Sequence, residues 1–146
     1  MNVSHKKQIN EEFSICFRLF GNDLKSLELS KHLGVKPTFF NVKNKKKRRC
    51  KNSFTKRSYS FWGIVAPVER TKELESHINW LSNLFEKNKC FIKNVVRKGV
   101  RMDVLISCHY IADRQLGFTL SDKFLSICGK LGISLSFDIY TYVNFN

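Results

Sequence analysis

Every second residue is apolar along three stretches of this chain, 13–20, 100–110 and 133–140, and the residues between them are mostly polar. Because successive side chains of a strand point to opposite faces of a sheet, this period of two indicates strands with one face in the core and one polar face. A fourth stretch, 59–65, is apolar almost throughout, which is typical of a strand covered on both faces. The pattern therefore predicts a sheet in which most strands expose one face.

A helical period separates these strands in the middle of the chain. Leu74, Ile78, Leu81 and Phe85 recur at i, i+4, i+7 and i+11, the spacing of one helix face, and Thr71 can cap the helix that they form. This is the strongest helical pattern in the sequence. We expect its apolar face to pack on the sheet.

Two shorter helices are predicted from the residues that begin and end them. One follows a Gly-Asn-Asp turn in which Asp23 can serve as the cap, and it ends at Gly34. The other begins at Ser121 and ends at Gly132. Ser and Asp side chains accept hydrogen bonds from the first amides of a helix, whereas glycine readily adopts the left-handed conformation that stops one.

A short strand is predicted over 91–96, where aromatic and β-branched residues are concentrated. Lys98-Gly99 is a turn signal between this stretch and the strand over 100–110, so we expect the two strands to form a hairpin. The predicted order of elements is then β-α-β-α-β-β-α-β.

The predicted fold class is α+β: a two-layer sandwich of about three helices on an antiparallel or mixed sheet of about five strands. The segments 13–38 and 104–140 each contain a strand, a turn and a helix that ends in Leu-Gly. This similarity raises the hypothesis of duplicated ferredoxin-like halves. Residues 1–11 are interpreted as a flexible tail, and residues 12–146 as a single domain that contains a basic loop at 43–57.

The composition is that of a folded protein of the cell interior. The 146 residues are enough for one domain, 42% of them are hydrophobic, and no run of about 18 apolar residues is present. The N-terminus lacks the apolar stretch of a signal peptide, and the five cysteines are scattered, as reduced thiols are. We therefore expect a cytoplasmic location and no contact with a membrane.

The net charge of +14 is concentrated in one segment: nine positive charges and no acidic residue lie over 43–57, so the rest of the chain carries only +5. Such a segment can dock an acidic protein, which we expect to be the partner, or neutralise the phosphates of a nucleic acid. A solvated loop in a chain that has drifted toward lysine has the same composition. The predicted contact residues are Lys45, Lys46, Lys47, Arg48, Arg49, Lys51, Lys56 and Arg57 with the aromatic Phe39, Phe40 and Phe54.

The polar sides of the predicted strands carry serine, histidine and aspartate, the residue types of a hydrolase triad. No G-x-S-x-G sequence is present, and a triad is recognised by geometry, so we assign no catalytic residue. We interpret this face as solvent-exposed or shared with a second subunit, which leaves both a monomer and a homodimer open, and we expect Asp138 to pair with Arg18 or Arg101. The other polar residues of the face are Ser14, Asp103, Ser107, His109, Ser134 and Ser136.

The remaining reactive residue types fit structural roles. His32 and His77 lie on the core-facing edges of predicted helices, and Trp62 lies in the apolar strand, so we interpret all three as core residues. The chain contains no C-x-x-C, H-E-x-x-H, Walker or dinucleotide-binding sequence. No metal and no cofactor is therefore predicted.

Short sequence landmarks follow one another along nearly the whole chain. They are Gly21, Asp23, Leu24, Leu33, Gly34, Pro37, Thr38, Trp62, Leu74, His77, Ile78, Leu81, Leu131, Gly132, Asp138, Ile139 and Tyr140. In these residues the chain resembles the bacterial family known as domain of unknown function 4279. The resemblance implies a small bacterial cytosolic α+β domain and supplies no activity. Members of that family often carry a Lys-Gly-Asp-like turn after Pro-Thr, where this chain has its run of Lys and Arg.

We prefer two non-enzymatic hypotheses of function to the hypothesis of an enzyme. The first is a non-enzymatic interaction module that binds an acidic protein through 43–57 and its aromatic neighbours. The resemblance adds an immunity or inhibitor role, because some members lie among toxin-immunity and defence genes. The second hypothesis is a nucleic-acid-binding domain that uses the same segment. The salt dependence of binding separates the two, because phosphate neutralisation makes affinity fall steeply with salt.

Overall fold

The computed structural model describes residues 11–42, 59–111 and 117–142. These residues form a five-stranded mixed sheet and three helices, so the predicted α+β class is confirmed. In chain order the elements are β1 (Glu11–Gly21), α1 (Ser26–Leu33), β2 (Phe39–Asn41), β3 (Ser60–Val65), α2 (Leu74–Arg97), β4 (Arg101–Ile111), α3 (Asp122–Leu131) and β5 (Ser134–Tyr142).

The strand order across the sheet is β2-β3-β1-β4-β5. Neighbouring strands are antiparallel except β4 and β5, which are parallel. β3 lies between β1 and β2, and β1 lies between β3 and β4, which is the split βαβ arrangement of a ferredoxin-like fold. The ferredoxin-like plan is therefore formed by β1 to β4 with α1 and α2, and α3 and β5 extend its sheet by one strand.

The two segments that suggest a duplication, 13–38 and 104–140, each lead from one strand through a helix toward a parallel strand. The first segment leads from β1 toward β2, and β3 lies between these two strands. The second leads from β4 to β5, which are direct neighbours. The duplication stays a prediction, which a superposition of the two segments would test.

The core lies between the helices and one face of the sheet. Alternate residues over 13–19 of β1 and 102–108 of β4 are buried, and the helices bury their apolar residues in the same cluster. Phe17 contacts both layers of this core. Its ring meets those of Trp62 and Phe85 edge-on, with centroids 6.5 and 4.9 Å apart. The helix stripe predicted to pack on the sheet is thus confirmed.

α2 is longer than predicted, because it includes the stretch 91–96. The predicted strand there is wrong. The helical period continues past Phe85, so that Ile92 and Val95 are buried in the core, and this burial outweighs the β-propensity of the stretch. In place of the predicted hairpin, Gly99 at φ 83° turns the chain from α2 into β4.

β2 is a strand of three residues in a part of the chain for which none was predicted. With β2 present and the strand over 91–96 absent, the order is β-α-β-β-α-β-α-β. β1 begins at Glu11, one residue inside the predicted tail. The predicted basic loop lies outside the described residues.

The predicted helix stops are confirmed. Gly34 and Gly132 each adopt the left-handed conformation with φ 69° and end α1 and α3. Ser121 caps α3, because its hydroxyl accepts a hydrogen bond from the Phe124 N–H at 3.3 Å. These three positions follow from local chemistry alone, which is why the sequence predicts them correctly.

The starts of α1 and α2 lie later than predicted. Their N-cap positions are Lys25 and Glu73, each two residues after Asp23 and Thr71, the predicted caps. Leu24 is buried just before α1, so the chain reaches the core before the helix begins.

Candidate functional site

The sheet face opposite the helices, which we call the open face, consists of even-numbered residues of β1 and β5 and odd-numbered residues of β2, β3 and β4. Apart from Cys16 and Gly63, the residues of this face whose burial is described are half-buried or exposed. The open face therefore presents an ordered array of side chains that are at least partly accessible.

An ion pair occupies the centre of the open face. The Arg18 guanidinium donates two hydrogen bonds to the Asp103 carboxylate, at 2.7 and 2.6 Å, and the Ser136 hydroxyl donates to the same carboxylate at 3.4 Å. Hydrogen bonding to Asp103 raises the pKa of Arg18. The predicted pairing of Arg18 with Asp138 is wrong, because Asp103 lies directly opposite Arg18 whereas Asp138 lies opposite Ser107 on the next strand.

One end of the open face carries an aromatic cluster with an arginine. We call Phe20, Tyr59, Phe61 and Arg101 the aromatic corner. The Phe20 ring centroid is 5.6 Å from that of Tyr59 and 5.3 Å from that of Phe61. The exposed Arg101 guanidinium lies over the Phe20 ring, 5.9 Å from its centroid, and the Arg18 guanidinium lies 5.5 Å from it.

The aromatic corner is also where the basic segment joins the sheet. β2 ends at Asn41, which is paired with Phe61, and Tyr59 directly precedes β3. The chain that connects these points contains all nine cations of 43–57. The segment of highest positive charge is therefore attached at both ends beside the aromatic corner.

The predicted contact residues fall into two groups. The cations and Phe54 lie outside the described residues, whereas Phe39 and Phe40 lie on β2 and are 51% and 40% exposed. Phe39 is paired with Gly63 and lies on the open face, but Phe40 is paired with Trp62 and faces the helix side. Only Phe39 thus shares a face with the aromatic corner.

Phe20, Phe61 and Arg101 of the aromatic corner were not among the contact residues predicted from the sequence. Phe20 is the aromatic residue on the otherwise polar side of β1, which is the signal that could have identified it. Phe61 was not recognised because the stretch 59–65 was interpreted as covered on both faces. That interpretation is wrong, since Phe61 and Val65 are only half-buried. Their apolar side chains are explained by contacts within the open face, as between Phe61 and Phe20.

The opposite end of the open face carries a stack of a histidine and two tyrosines. The His109 ring is nearly parallel to those of Tyr140 and Tyr142, with centroids 4.6 and 5.9 Å away. His109 Nδ1 lies 2.8 Å from the Tyr142 hydroxyl. Ser107 and Asp138 are neighbours beside this stack, but the hydrogen bond of His109 goes to a tyrosine, so the described residues do not form a Ser-His-Asp triad.

His77 and Trp62 lie in the core as predicted, whereas His32 does not. His77 is 1% exposed, and burial lowers its pKa; the backbone of Glu69 and Lys72 has the opposite effect. Neither of these backbone segments lies in hydrogen-bonding geometry to the His77 ring. Both ring nitrogens lack a hydrogen-bond partner among the described residues. His32 is exposed and stacks on Phe91 with centroids 4.5 Å apart.

The cysteines of the described chain are free thiols. Cys16, Cys108 and Cys128 are buried, and burial raises the pKa of all three, to about 11 for Cys16 and Cys128. Cys90 is exposed. A raised pKa suppresses the thiolate, so the three buried thiols are poor nucleophiles at neutral pH.

A metal-ligand cluster and a membrane-spanning helix are both absent from the described ranges. Within residues 11–42, 59–111 and 117–142, no three His, Cys, Asp or Glu side chains are grouped so that they could hold a metal ion. None of the helices in these ranges combines the length and the apolar character needed to cross a bilayer.

Comparison with known proteins identifies a family for the chain. A search of curated proteins and a search of solved structures each found no significant match. The family model described as "Domain of unknown function (DUF4279)" matches residues 11–142. This range contains every element from β1 to β5, and since it spans nearly the whole sequence, the chain belongs to the DUF4279 family.

Proposed function

We propose that this protein is a non-enzymatic binding module that holds a single-stranded nucleic acid on its open face. The observation that supports it best is the packing of Phe20, Tyr59 and Phe61 together with Arg101 on the sheet face opposite the helices. Unpaired bases stack on aromatic rings exposed on a sheet, and such stacking is tolerant of sequence. A duplex hides the faces of its bases, so the corner suits single strands.

The charge of the chain agrees with a phosphate-bearing ligand. Segment 43–57 contains nine cations, and the described chain on both sides of it lies beside the aromatic corner, so the segment can supply charge that neutralises the phosphates of a bound strand. Arg18 is committed to Asp103 by two short hydrogen bonds. Arg101 instead lies over an aromatic ring and is exposed, so its guanidinium is available to a ligand.

An acidic protein is the second candidate ligand. Phe39 and Phe40 are both exposed on the edge strand β2, and exposed aromatic residues beside a basic segment are typical of a protein interface. In this alternative the contact surface is the β2 edge with 43–57, and the module is an inhibitor or immunity protein. It needs neither Phe20 nor Phe61, which lie on the open face.

Fluorescence anisotropy of labelled single-stranded and double-stranded 12-mers over a salt series tests the proposal. We expect the single strand to bind more tightly, with an affinity that falls steeply as salt rises. Replacing Lys45, Lys46, Lys47, Arg48 and Arg49 by Gln should reduce the salt slope by about 0.7 for each phosphate that the variant no longer neutralises. The absence of binding to either oligonucleotide at low salt would contradict the proposal.

A matched pair of aromatic variants tests the role of the corner. Phe61→Ala should weaken single-strand binding by about 1–3 kcal/mol, the value of one stacked base. Phe137→Ala is the control, because Phe137 is 42% exposed but lies on the other side of the sheet, against Phe118. An acidic protein whose retention depends on the five cations but not on Phe61 would favour the second candidate.

A further inference from the structure

A cavity of about 240 Å³ opens beside the aromatic corner. Its wall combines strand ends and turns that are far apart in the sequence: the end of β1, the turn after it, the residue before β3 and the turn before β4. The lining residues are Phe20, Gly21, Asn22, Tyr59, Gly99 and Arg101.

The size of this cavity suits one ring system. Pockets for drug-sized ligands hold roughly 300–1,000 Å³ and enclose most of the ligand. A cavity of about 240 Å³ that is partly open to solvent provides too little contact to retain a free small molecule of that size. A single base of a strand that is also held elsewhere needs no such enclosure.

The aromatic rings of the cavity are arranged to hold a flat group. Phe20 and Tyr59 meet at 78°, with centroids 5.6 Å apart, so a planar ligand can lie on one ring and touch the edge of the other. Gly99 brings backbone to the wall without a side chain, in open space and with a φ of 83° that is strained for other residues.

The polar residues of the cavity indicate which base it takes. Asn22 is exposed, so its side-chain amide can offer a donor and an acceptor together, the pair that matches adenine N7 and its amino group. The Arg101 guanidinium offers two parallel donors, which match guanine O6 and N7. Both patterns lie on the same edge of a purine, whose two fused rings also offer more area for stacking than the single ring of a pyrimidine.

We propose that this cavity binds one unpaired purine base of the nucleic-acid strand, with one of the Phe20 and Tyr59 rings stacked on its face, the other against its edge, and Asn22 and Arg101 hydrogen-bonded to its polar edge. This inference rests on the proposed function, since the strand itself is held by the open face and the basic segment. It gives the module a preference for strands with a purine at one position.

Anisotropy with labelled oligo(dT) 12-mers, with and without one central adenine or guanine, measures this preference. For the wild-type chain we expect the purine to raise affinity about five-fold or more. Asn22→Ala should remove the advantage of adenine, and Arg101→Ala that of guanine. Asn83→Ala and Lys87→Ala, which change exposed residues of α2, should leave both advantages unchanged.

The two proposals fail in different ways. Binding of oligo(dT) without any gain from a purine overturns the cavity proposal alone, as does a purine gain that survives in Asn22→Ala and Arg101→Ala together. Failure of the wild-type chain to bind any strand at low salt overturns both proposals. As an independent check, the backbone amide resonances of Gly21 and Gly99 should shift more with the purine strand than with oligo(dT); equal shifts count against the cavity.

Discussion

The two faces of the sheet use the same strands for different purposes. On the helix side, Phe17 packs against Trp62 and Phe85 with almost no exposure. On the open face, Arg18 from the same strand forms an ion pair, and Phe20 builds the aromatic corner. Because side chains alternate along a strand, β1 can stabilise the fold through one set of residues and carry the candidate site on the other. Substitutions on the two faces should therefore have separable effects.

The largest expected effect is on the helix side. Phe85→Ala should lower the free energy of unfolding by about 3–5 kcal/mol, since it leaves a cavity under a fully buried ring. Phe61→Ala, which removes a half-buried ring from the open face, should cost less than half as much. Urea denaturation of both variants measures the difference. Equal losses of stability would contradict the expectation that substitutions on the two faces have separable effects.

The next largest effect is expected at the Arg18–Asp103 ion pair of the open face. Asp103→Asn should destabilise the protein by about 1–3 kcal/mol, because it leaves the partly buried Arg18 with a neutral partner. Asp138→Asn makes the same chemical change on the neighbouring strand, and we expect it to cost less than about 0.5 kcal/mol. Thermal and urea unfolding of the two variants test this. A larger loss in Asp138→Asn would indicate that Asp138 is the more important carboxylate.

A pH-dependent effect should come from His77 on the helix side. Its pKa in the folded chain is lowered from 6.5, so below about pH 6.5 the unfolded chain binds a proton that the native chain does not. Stability should therefore fall as the pH is lowered from 7.5 to 5.5, by at most about 1.4 kcal/mol per pH unit from this group. Urea midpoints across this range should flatten in His77→Gln but keep their slope in His32→Gln, whose ring is exposed.

The smallest effect on stability is expected at the edge of the open face. Phe39→Ser should change the free energy of unfolding by less than about 0.5 kcal/mol, because Phe39 is 51% exposed on a strand of three residues. Differential scanning calorimetry measures this change. A drop comparable to that of Asp103→Asn would show that Phe39 is part of the packed structure rather than available for contact.

The sequence predicts most of the fold because its strands alternate and its helix stops are local. It fails at 91–96, where β-propensity and the helical period conflict and the packing of Ile92 on the sheet decides. Alternation also predicts a polar face, because it tells which side of the sheet a residue faces. It does not predict the ion pairs on that face, because these depend on which strand lies alongside. The partner of Arg18 became clear only from the register.

The candidate site was harder to predict than the fold for the same physical reason. Phe20, Tyr59 and Arg101 come from three segments of the chain that carry no shared motif, and only the strand order brings them together. The basic segment was visible as a local excess of charge, which indicates an acidic ligand but does not select its class. The aromatic corner is what moves the proposal from a protein partner to a single-stranded nucleic acid.

The central position of β1 has a consequence for how the chain folds during its synthesis. β1 pairs with β3 and β4, so the partner strands of both its edges are synthesised later. The last residue of these partners is Ile111, the end of β4. At roughly 5–20 residues per second, translation reaches the end of β4 about 5–18 s after the end of β1. Until then the first strand exposes its apolar side chains and its free backbone groups, and closing such long loops slows folding. The strand that organises the finished sheet is thus fully paired only after most of the chain has been made.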